Sequence, residues 1–146
     1  MDKIIVFCDI DGVLNSDYHT RINGGVFEQI EERKVKNLKK IVDCTNASVI
    51  IVSHANTMFG EEFNQYRLNL IRQYGVIPID CLKTNSFLEN KEYIVKKYIK
   101  EHQIERFVII DDKLDNYYEL VDHLVLIKGK HGLTNTHVKL AISKLV

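Results

Sequence analysis

The segment Lys3 to Asn15 reads Lys-Ile-Ile-Val-Phe-Cys-Asp-Ile-Asp-Gly-Val-Leu-Asn and carries the strongest indication of the fold of this chain. Its consecutive apolar residues, Ile4 to Cys8, predict a strand that is covered on both faces, as in the middle of a parallel sheet. The polarity then changes abruptly at Asp9 and Asp11. Because these residues are two positions apart, an extended backbone points both carboxylates to the same side. Ligands of open α/β sheets bind at the carboxyl ends of the strands, so we expect the functional site there.

Two carboxylates held close together repel each other unless a cation joins them, and Mg2+ prefers oxygen ligands of this kind. The alternative interpretation is a hairpin turn at Asp11-Gly12. Only Val13 and Leu14 follow before the polar run from Asn15 to Asp17, which is too short for a returning strand. The pattern therefore favours a strand that ends in a metal-binding loop.

The composition is that of a globular domain. The 146 residues, of which 45% are hydrophobic, predict a single domain over residues 1–146. Lys plus Arg equals Asp plus Glu at 20 each, so no overall field attracts nucleic acid or membrane. We expect Cys8, Cys44 and Cys81 to be buried packing residues in a reducing compartment. The absence of a signal-peptide pattern and of a membrane-length apolar run predicts a cytoplasmic protein without a membrane partner, and the oligomeric state is left open.

The rest of the chain alternates strands and helices after a loop over Ser16 to Val26. Further strands are predicted at Ser48–Val52, Val76–Leu82, Arg106–Ile110 and His123–Ile127. Helices are predicted at Glu28–Cys44, Glu61–Tyr74, Lys91–His102, Leu114–Val121 and Thr134–Leu145. Pro78 places its strand at an edge of the sheet. This alternation predicts an α/β fold, a three-layer Rossmann-like parallel sheet with helices on both faces.

Polar residues end three of the strands, and a parallel sheet would gather them at one edge: Asp9 and Asp11, Ser53, and Asp111 and Asp112. Lys91 opens a helix after a loop, where its ammonium group could balance the acids. Together they supply a carboxylate nucleophile, a carboxyl group for proton transfer, a metal cage and cationic groups for a phosphoryl group. Alternatives remain for two of them, since Ser53 could cap the following segment and Lys83 or Lys113 could replace Lys91.

These residues resemble the four motifs of the haloacid dehalogenase (HAD) superfamily, in order and across nearly the whole chain. The closer likeness is to small HAD domains linked with RNA repair, which share the Asp-Gly-Val-Leu-Asn start, the basic residue opening a helix, the Asp-Asp pair and a late Gly-Leu-Thr, here Gly132 to Thr134. Those domains often continue the second motif with Ser-Trp-Arg, where this chain has His54-Ala55-Asn56.

The resemblance implies a role for each motif residue. Asp9 would attack phosphorus and form an aspartyl-phosphate, and Asp11 would protonate the leaving group and then activate water. Ser53 and Lys91 would hold the phosphoryl oxygens. Mg2+ would be held by Asp9, by the backbone carbonyl of Asp11 and by the fourth-motif acids, with Asp112 as the direct ligand and Asp111 in support. Asn116 would support these acids, with Asp115 as the alternative. The candidate substrate-binding residues are Gly12, Arg21, His54, Asn56 and Asn116.

HAD enzymes that act on small metabolites often close the site with a cap domain, which is inserted after the first motif or between the second and third. This chain has no room for such a domain between Leu14 and Val49 or between His54 and Lys91. A site without a lid excludes water poorly but admits the end of a long molecule. Together with this open site, the family resemblance implies a Mg2+-dependent phosphatase for large phosphorylated substrates, with a nucleic-acid end as the leading candidate and a free nucleotide or small metabolite as the alternative. Binding a polymer would require a local basic patch, for which Arg21, Lys128 and Lys130 are the candidates.

Two other classes of protein remain open from the sequence. A phosphoacceptor domain of the receiver type also combines a parallel sheet with clustered acids, and Lys128 would be its lysine. That class expects adjacent acids after the first strand, whereas here the adjacent pair comes late. The other class is a non-catalytic HAD-like module that binds phosphate.

Overall fold

The computed structural model describes residues 3–16, 30–53, 60–85 and 89–146. The strands of this part are β1 (Ile4–Cys8), β2 (Ser48–Ser53), β3 (Asp80–Lys83), β4 (Arg106–Asp111) and β5 (Leu124–Leu126). The helices are α1 (Glu32–Thr45), α2 (Gly60–Gln73), α3 (Lys91–His102) and α4 (Asn135–Leu145). Short 3-10 turns cover Leu114–Asn116 and Val121–His123.

All strand pairs are parallel, and the strand order is β3-β2-β1-β4-β5. Val6 of β1 pairs with Val49 on one side and Val108 on the other, so β1 lies in the middle of the sheet. The chain first builds outward from β1 to β3 and then crosses back to place β4 beside β1. The switch point of the topology, where ligands of such sheets bind, is therefore the crevice between β1 and β4.

Two apolar layers cover the sheet, because successive strand side chains point to opposite faces. On one face, Val6 and Cys8 belong to a core completed by residues of α1, α2 and α4. On the other face, Ile5 and Phe7 pack with Val95 of α3. The prediction of a parallel α/β sheet with helices on both faces is confirmed.

Two predicted element boundaries differ from the structure for backbone reasons. Helix α1 begins at Glu32, within the described residues, rather than at Glu28. The preceding residue, Glu31, is extended, and its N–H donates to the carbonyl of Leu14 at 2.9 Å, which ties it to the loop after β1. Strand β3 begins at Asp80 rather than Val76, since Pro78 has no N–H for the ladder.

The predicted helix Leu114–Val121 is wrong. Only two separate 3-10 turns form there, and the backbone between them runs along the N-terminal end of α3. The N–H groups of Tyr118 and Leu120 donate to Oε2 of Glu92 at 2.7 and 2.9 Å. A carboxylate from another element thus takes the donors that a helix would have paired internally. The strand predicted at His123–Ile127 is correspondingly shorter.

The cysteines are buried only in part. Cys8 lies in the core as predicted, but Cys44 is exposed and Cys81 is partly buried, so the expectation that all three are packing residues is wrong. Cys44 lies in the last turn of α1, three residues beyond Ile41, which is the last of the buried residues of this helix. In the described part of the chain, no helix has the length and apolar character needed to cross a membrane.

The connections that could carry a cap domain are short. Residues 9–31 join β1 to α1, and residues 54–79, which include α2, join β2 to β3. Neither connection reaches the roughly 50 residues of a small domain. The expectation of a minimal cap or none is therefore consistent with the fold.

Candidate active site

Asp9 stands directly after β1, at the switch point of the sheet. Its N–H donates to the carbonyl of Ile110 in β4 at 2.9 Å, so the pairing of the two strands continues as far as the acid. The chain then turns tightly, because the N–H groups of Val13 and Leu14 both donate to the carbonyl of Ile10. This turn directs the backbone away from the sheet and leaves the carboxylate of Asp9 in the crevice, where it is almost fully buried.

Gly12 is the residue that lets the fourth-motif acids approach this turn. Its φ of +81° lies in the left-handed region that favours glycine. A Cβ at this position would also collide with the carboxylate of Asp112. Glycine is thus favoured by the backbone conformation, and it also leaves room for the carboxylate of Asp112.

Asp9, Asp111 and Asp112 form the acidic cluster, in which one oxygen of each carboxylate lies within 4.8 Å of the others. The ammonium group of Lys91 enters the cluster from the first turn of α3. Its Nζ lies 3.0 Å from Oδ1 of Asp9 and 3.2 Å from Oδ2 of Asp111. All of these side chains except that of Asp112 are buried, so one cation is shared by acids that water hardly reaches.

The charge of the cluster is not balanced by Lys91 alone. Burial and the charge of Asp111 raise the pKa of Asp9 to about 8 against the opposing effect of Lys91. Burial also raises the pKa of Asp112, and the charge of Asp111 adds to the shift. Although burial acts to lower the pKa of Lys91, the two carboxylates outweigh it and raise that pKa. Converging oxygen donors with excess negative charge fit a hard divalent cation such as Mg2+.

Asp111 and Asp112 have different surroundings. Asp111 accepts hydrogen bonds from the N–H of Lys113 at 3.0 Å, from the Tyr117 hydroxyl at 3.4 Å and from the Asn116 amide at 3.4 Å. Asp112 is only half-buried and lies at the rim, next to Gly12. The oxygens of Asp111 are thus occupied by protein donors, whereas Asp112 faces the crevice. Asn116 lies beside the acids, as the sequence resemblance implied, and Asp115 is exposed.

Helix α3 holds Lys91 in place through its N-terminal cap. The side chain of Asn90 accepts a hydrogen bond from the N–H of Glu92 at 2.7 Å, which starts the helix at Lys91 as predicted. The competing lysines lie elsewhere. Lys83 pairs at the surface with Glu61 at 3.0 Å, and Lys113 is exposed. Lys91 is therefore the lysine, of the three considered, that the structure brings to Asp9.

Of the other predicted site residues, the structure describes Ser53 but not Arg21, His54 or Asn56. Ser53 is the last residue of β2, at the same edge of the sheet as the acids, and its carbonyl accepts from the N–H of Thr84 at 3.1 Å. Arg21, His54 and Asn56 lie outside the described residues. The departure from the Ser-Trp-Arg pattern falls in the same undescribed segment.

Lys128 and Lys130 are exposed on the loop that follows β5. Gly129 between them approaches the site so closely that an added Cβ would stand 3.1 Å from Oδ2 of Asp112. Lys128 and Lys130, two of the three residues of the predicted basic patch, therefore lie on either side of Gly129 at the rim of the acidic cluster.

Sequence reasoning missed Arg67 of α2. Its guanidinium group binds Asp11 through both outer nitrogens, with Nη2 at 2.8 Å from Oδ1 and Nη1 at 3.3 Å from Oδ2. A signal existed in the sequence, since Arg67 lies four residues after Phe63 and four before Ile71 on the face predicted to be buried. A charged residue on a buried helix face needs a partner, and that partner is the second acid of the first motif.

Fold and site together define a Rossmann-like α/β domain with an acidic, lysine-containing site at its switch point. The chain belongs to the family described as the HAD domain in Swiss Army Knife RNA repair proteins, whose model matches residues 5–138. No curated protein matches the chain. The receiver alternative does not fit, because flavodoxin-like domains of that type order their strands 2-1-3-4-5, whereas the order here is 3-2-1-4-5.

Proposed function

We propose that residues 1–146 form one phosphatase domain, a Mg2+-dependent phosphomonoester hydrolase that acts through an aspartyl-phosphate. Membership of the HAD family supports the hydrolase class. The observation that carries the proposal is the contact of Lys91 with Asp9 inside the acidic cluster. It combines a buried carboxylate nucleophile with a cation placed to receive phosphoryl oxygens.

The side chains divide the reaction between them. The carboxylate of Asp9 attacks phosphorus, the bond from phosphorus to the ester oxygen breaks, and Asp11 gives its proton to the departing oxygen. Ser53 and Lys91 hold the phosphoryl oxygens during the transfer. In the second half, a water gives a proton to Asp11 as it attacks phosphorus, and the bond between Asp9 and phosphorus breaks. The products are an alcohol and phosphate, and Asp9 and Asp11 return to their starting states.

Asp9, Asp112 and the backbone carbonyl of Asp11 would hold Mg2+, with Asp111 in support. When bound, Mg2+ supplies positive charge that stabilises the phosphoryl oxygens. The crowding of buried acids, which Lys91 neutralises only in part, supports this assignment.

Mg2+ affinity is expected to rise with pH. Because the pKa of Asp9 is raised to about 8 in the metal-free protein, we expect metal binding below that pH to displace a proton from this acid. The apparent affinity should therefore increase by up to about tenfold per pH unit below pH 8 and level off above it. Calorimetric titration with Mg2+ at pH 6 to 9, in buffers of different ionisation enthalpy, measures the affinity at each pH and the number of protons released on binding. Affinity without pH dependence or proton release would contradict the assignment of Asp9 as a ligand.

The substrate we propose is a phosphate at a nucleic-acid end, with a nucleotide or small metabolite as the alternative. The family name supports the RNA-repair setting, and Lys128 and Lys130 provide exposed positive charge beside the rim of the site. Gly12, Arg21, His54, Asn56 and Asn116 are the proposed substrate contacts. A cytoplasmic location is consistent with such a substrate.

Phosphate release from a broad panel of phosphomonoesters, measured with and without Mg2+, tests the enzyme proposal, which fails if Mg2+ stimulates none of them. The substrate proposal is tested by kcat/KM on a 3′-phosphorylated oligonucleotide against the matching mononucleotide. We expect the oligonucleotide to be preferred and its turnover to fall as salt rises.

Replacing Lys128 and Lys130 by Ala should reduce the salt slope for the oligonucleotide by about 1.4, at about 0.7 for each phosphate contact with a single strand. The matched control is Lys139→Ala, an exposed lysine of α4, which should leave the slope unchanged. Equal or better turnover of the mononucleotide, without salt dependence, would contradict the polymer substrate.

A further inference from the structure

Arg67 makes a bidentate contact with Asp11, the acid that the proposed mechanism uses for proton transfer. Its outer nitrogens reach both oxygens of Asp11, at 2.8 and 3.3 Å. Asn15 adds a third donor to Oδ1 at 3.2 Å, and its own side-chain oxygen accepts from the N–H of Gly12 at 2.9 Å. The carboxylate plane is thus fixed from α2 on one side and from the turn of the first motif on the other.

The two partners differ greatly in exposure. The side chain of Arg67 is 5% exposed, whereas that of Asp11 is 65% exposed. A carboxylate in water does not need a buried partner, and pairing two exposed charges contributes little. A buried guanidinium group, by contrast, is costly to desolvate. The burial of Arg67 therefore costs more free energy than the placement of Asp11. The group that the buried arginine orients is Asp11.

The burial of Arg67 is not fully compensated by its neighbours. Its Nε is buried and has no hydrogen-bond partner among the described residues. The guanidinium carbon lies 5.2 Å from the centre of the Phe63 ring, one turn earlier on α2, which supports the group from one side. An arginine needed only for the fold would be expected to satisfy its own donors more completely. Both outer nitrogens instead point at Asp11.

Orientation of this carboxylate matters for the reaction. A general acid must bring its oxygen within hydrogen-bond reach of the departing atom, about 2.6–3.2 Å. An exposed aspartate has rotational freedom, and a planar guanidinium fork removes it, because two parallel bonds fix both oxygens at once.

We infer that Arg67 is a positioning residue that holds the carboxylate of Asp11 for proton transfer, and that it thereby determines how efficiently esters with poor leaving groups react. The inference rests on the proposed function. It concerns the bond from phosphorus to the ester oxygen, whose cleavage needs a proton from Asp11 when the leaving group is an alkoxide. A nitrophenolate leaves without that proton.

The experiment compares kcat/KM for an alkyl phosphate and for nitrophenyl phosphate, because kcat/KM reports the steps up to departure of the leaving group. Arg67→Met removes the fork while keeping the apolar stem, and Arg67→Lys keeps a charge but cannot bind both oxygens. Both variants should lose at least about tenfold more on the alkyl ester than on the nitrophenyl ester. The matched control is Arg72→Met, an exposed arginine of the same helix that contacts Asn69 at 3.0 Å, and its ratio should match the wild type.

A second comparison uses the combined variant Arg67→Met with Asp11→Asn. If Arg67 acts through Asp11, the double variant should be no slower on the alkyl ester than Asp11→Asn alone. Thermal unfolding of each variant separates a loss of folded protein from a change in the leaving-group ratio, and Arg67→Lys keeps the test usable if Arg67→Met does not fold.

Three results would overturn the inference. Equal losses on both esters would indicate a role in substrate binding or in the fold, additive losses would indicate that Arg67 acts independently of Asp11, and a gain in activity would show that the fork restrains Asp11 in an unproductive position. A wild-type protein that releases phosphate from no phosphomonoester of the broad panel overturns the proposed function itself. An active wild type with an unchanged ratio in the Arg67 variants overturns this inference alone.

Discussion

Asp9→Asn is expected to abolish phosphate release from every substrate, because a carboxamide is a poor nucleophile and no acyl-phosphate can form. The replacement is nearly isosteric, so the crevice should keep its shape. It also removes a buried acid whose pKa is raised to about 8, so the metal-free protein should not lose stability at pH 9. Phosphate release and thermal unfolding of the same preparation check the two statements together.

Asp11→Asn is expected to fail in a different way from Asp9→Asn. It should slow the alkyl ester by roughly 100-fold or more, since general acid-base help is lost. With nitrophenyl phosphate, however, the phosphoenzyme should still form and should accumulate, because the attack of water on it lacks a base. Mass spectrometry of the quenched protein should find the added phosphate on Asp9, and Asp115→Asn, a change at an exposed acid, should behave like the wild type. Covalent phosphate on Asp11, or full activity of Asp9→Asn, would reverse the assignment of roles.

Lys91→Met is expected to remove both activity and a large share of stability. The ammonium group contacts two acids, Asp9 and Asp111, whose side chains are 11% and 1% exposed. Removing one partner of a buried ion pair leaves uncompensated charge and typically costs about 3–5 kcal/mol. Since the remaining acids can escape part of this cost by taking up protons, the loss should be larger at pH 9 than at pH 6. Added Mg2+ should recover part of the stability by supplying a cation to the same acids, but not the activity.

Urea unfolding at both pH values, with and without Mg2+, measures this effect. Lys113→Met is the matched control, because Lys113 is exposed and a surface change of this kind usually stays within about 0.5 kcal/mol. An unfolding free energy for Lys91→Met equal to that of the control would mean that the buried acids do not depend on Lys91 for their charge balance.

The length of some helices and strands depends on contacts with residues distant in the sequence, which local sequence patterns do not reveal. The segment Leu114–Val121 has helical spacing, yet Glu92 takes the N–H groups of Tyr118 and Leu120 and prevents a continuous helix. Helix α3, by contrast, has the predicted bounds of Lys91–His102, because its start is determined locally by the side chain of Asn90. Prediction succeeded where the deciding hydrogen bond lies within two or three residues.

Local sequence patterns were sufficient to predict the alternation of strands and helices, the buried strand that ends at Asp9, and the helix that opens with Lys91. These features depend on apolar periodicity and on caps, which are local properties of the chain. The strand order β3-β2-β1-β4-β5, in contrast, depends on how the elements pack together, and it makes the crevice between β1 and β4 the switch point.

The tertiary structure also decided which partner each charge obtains. Arg67 meets Asp11 across 56 positions of the sequence, and Lys91 meets Asp111 across 20. Periodicity records which face of an element a side chain occupies, but not which side chain of another element it will meet. That choice follows from how the helices pack on the sheet, since each buried charge must find its counter-charge within the few ångströms that the packing allows.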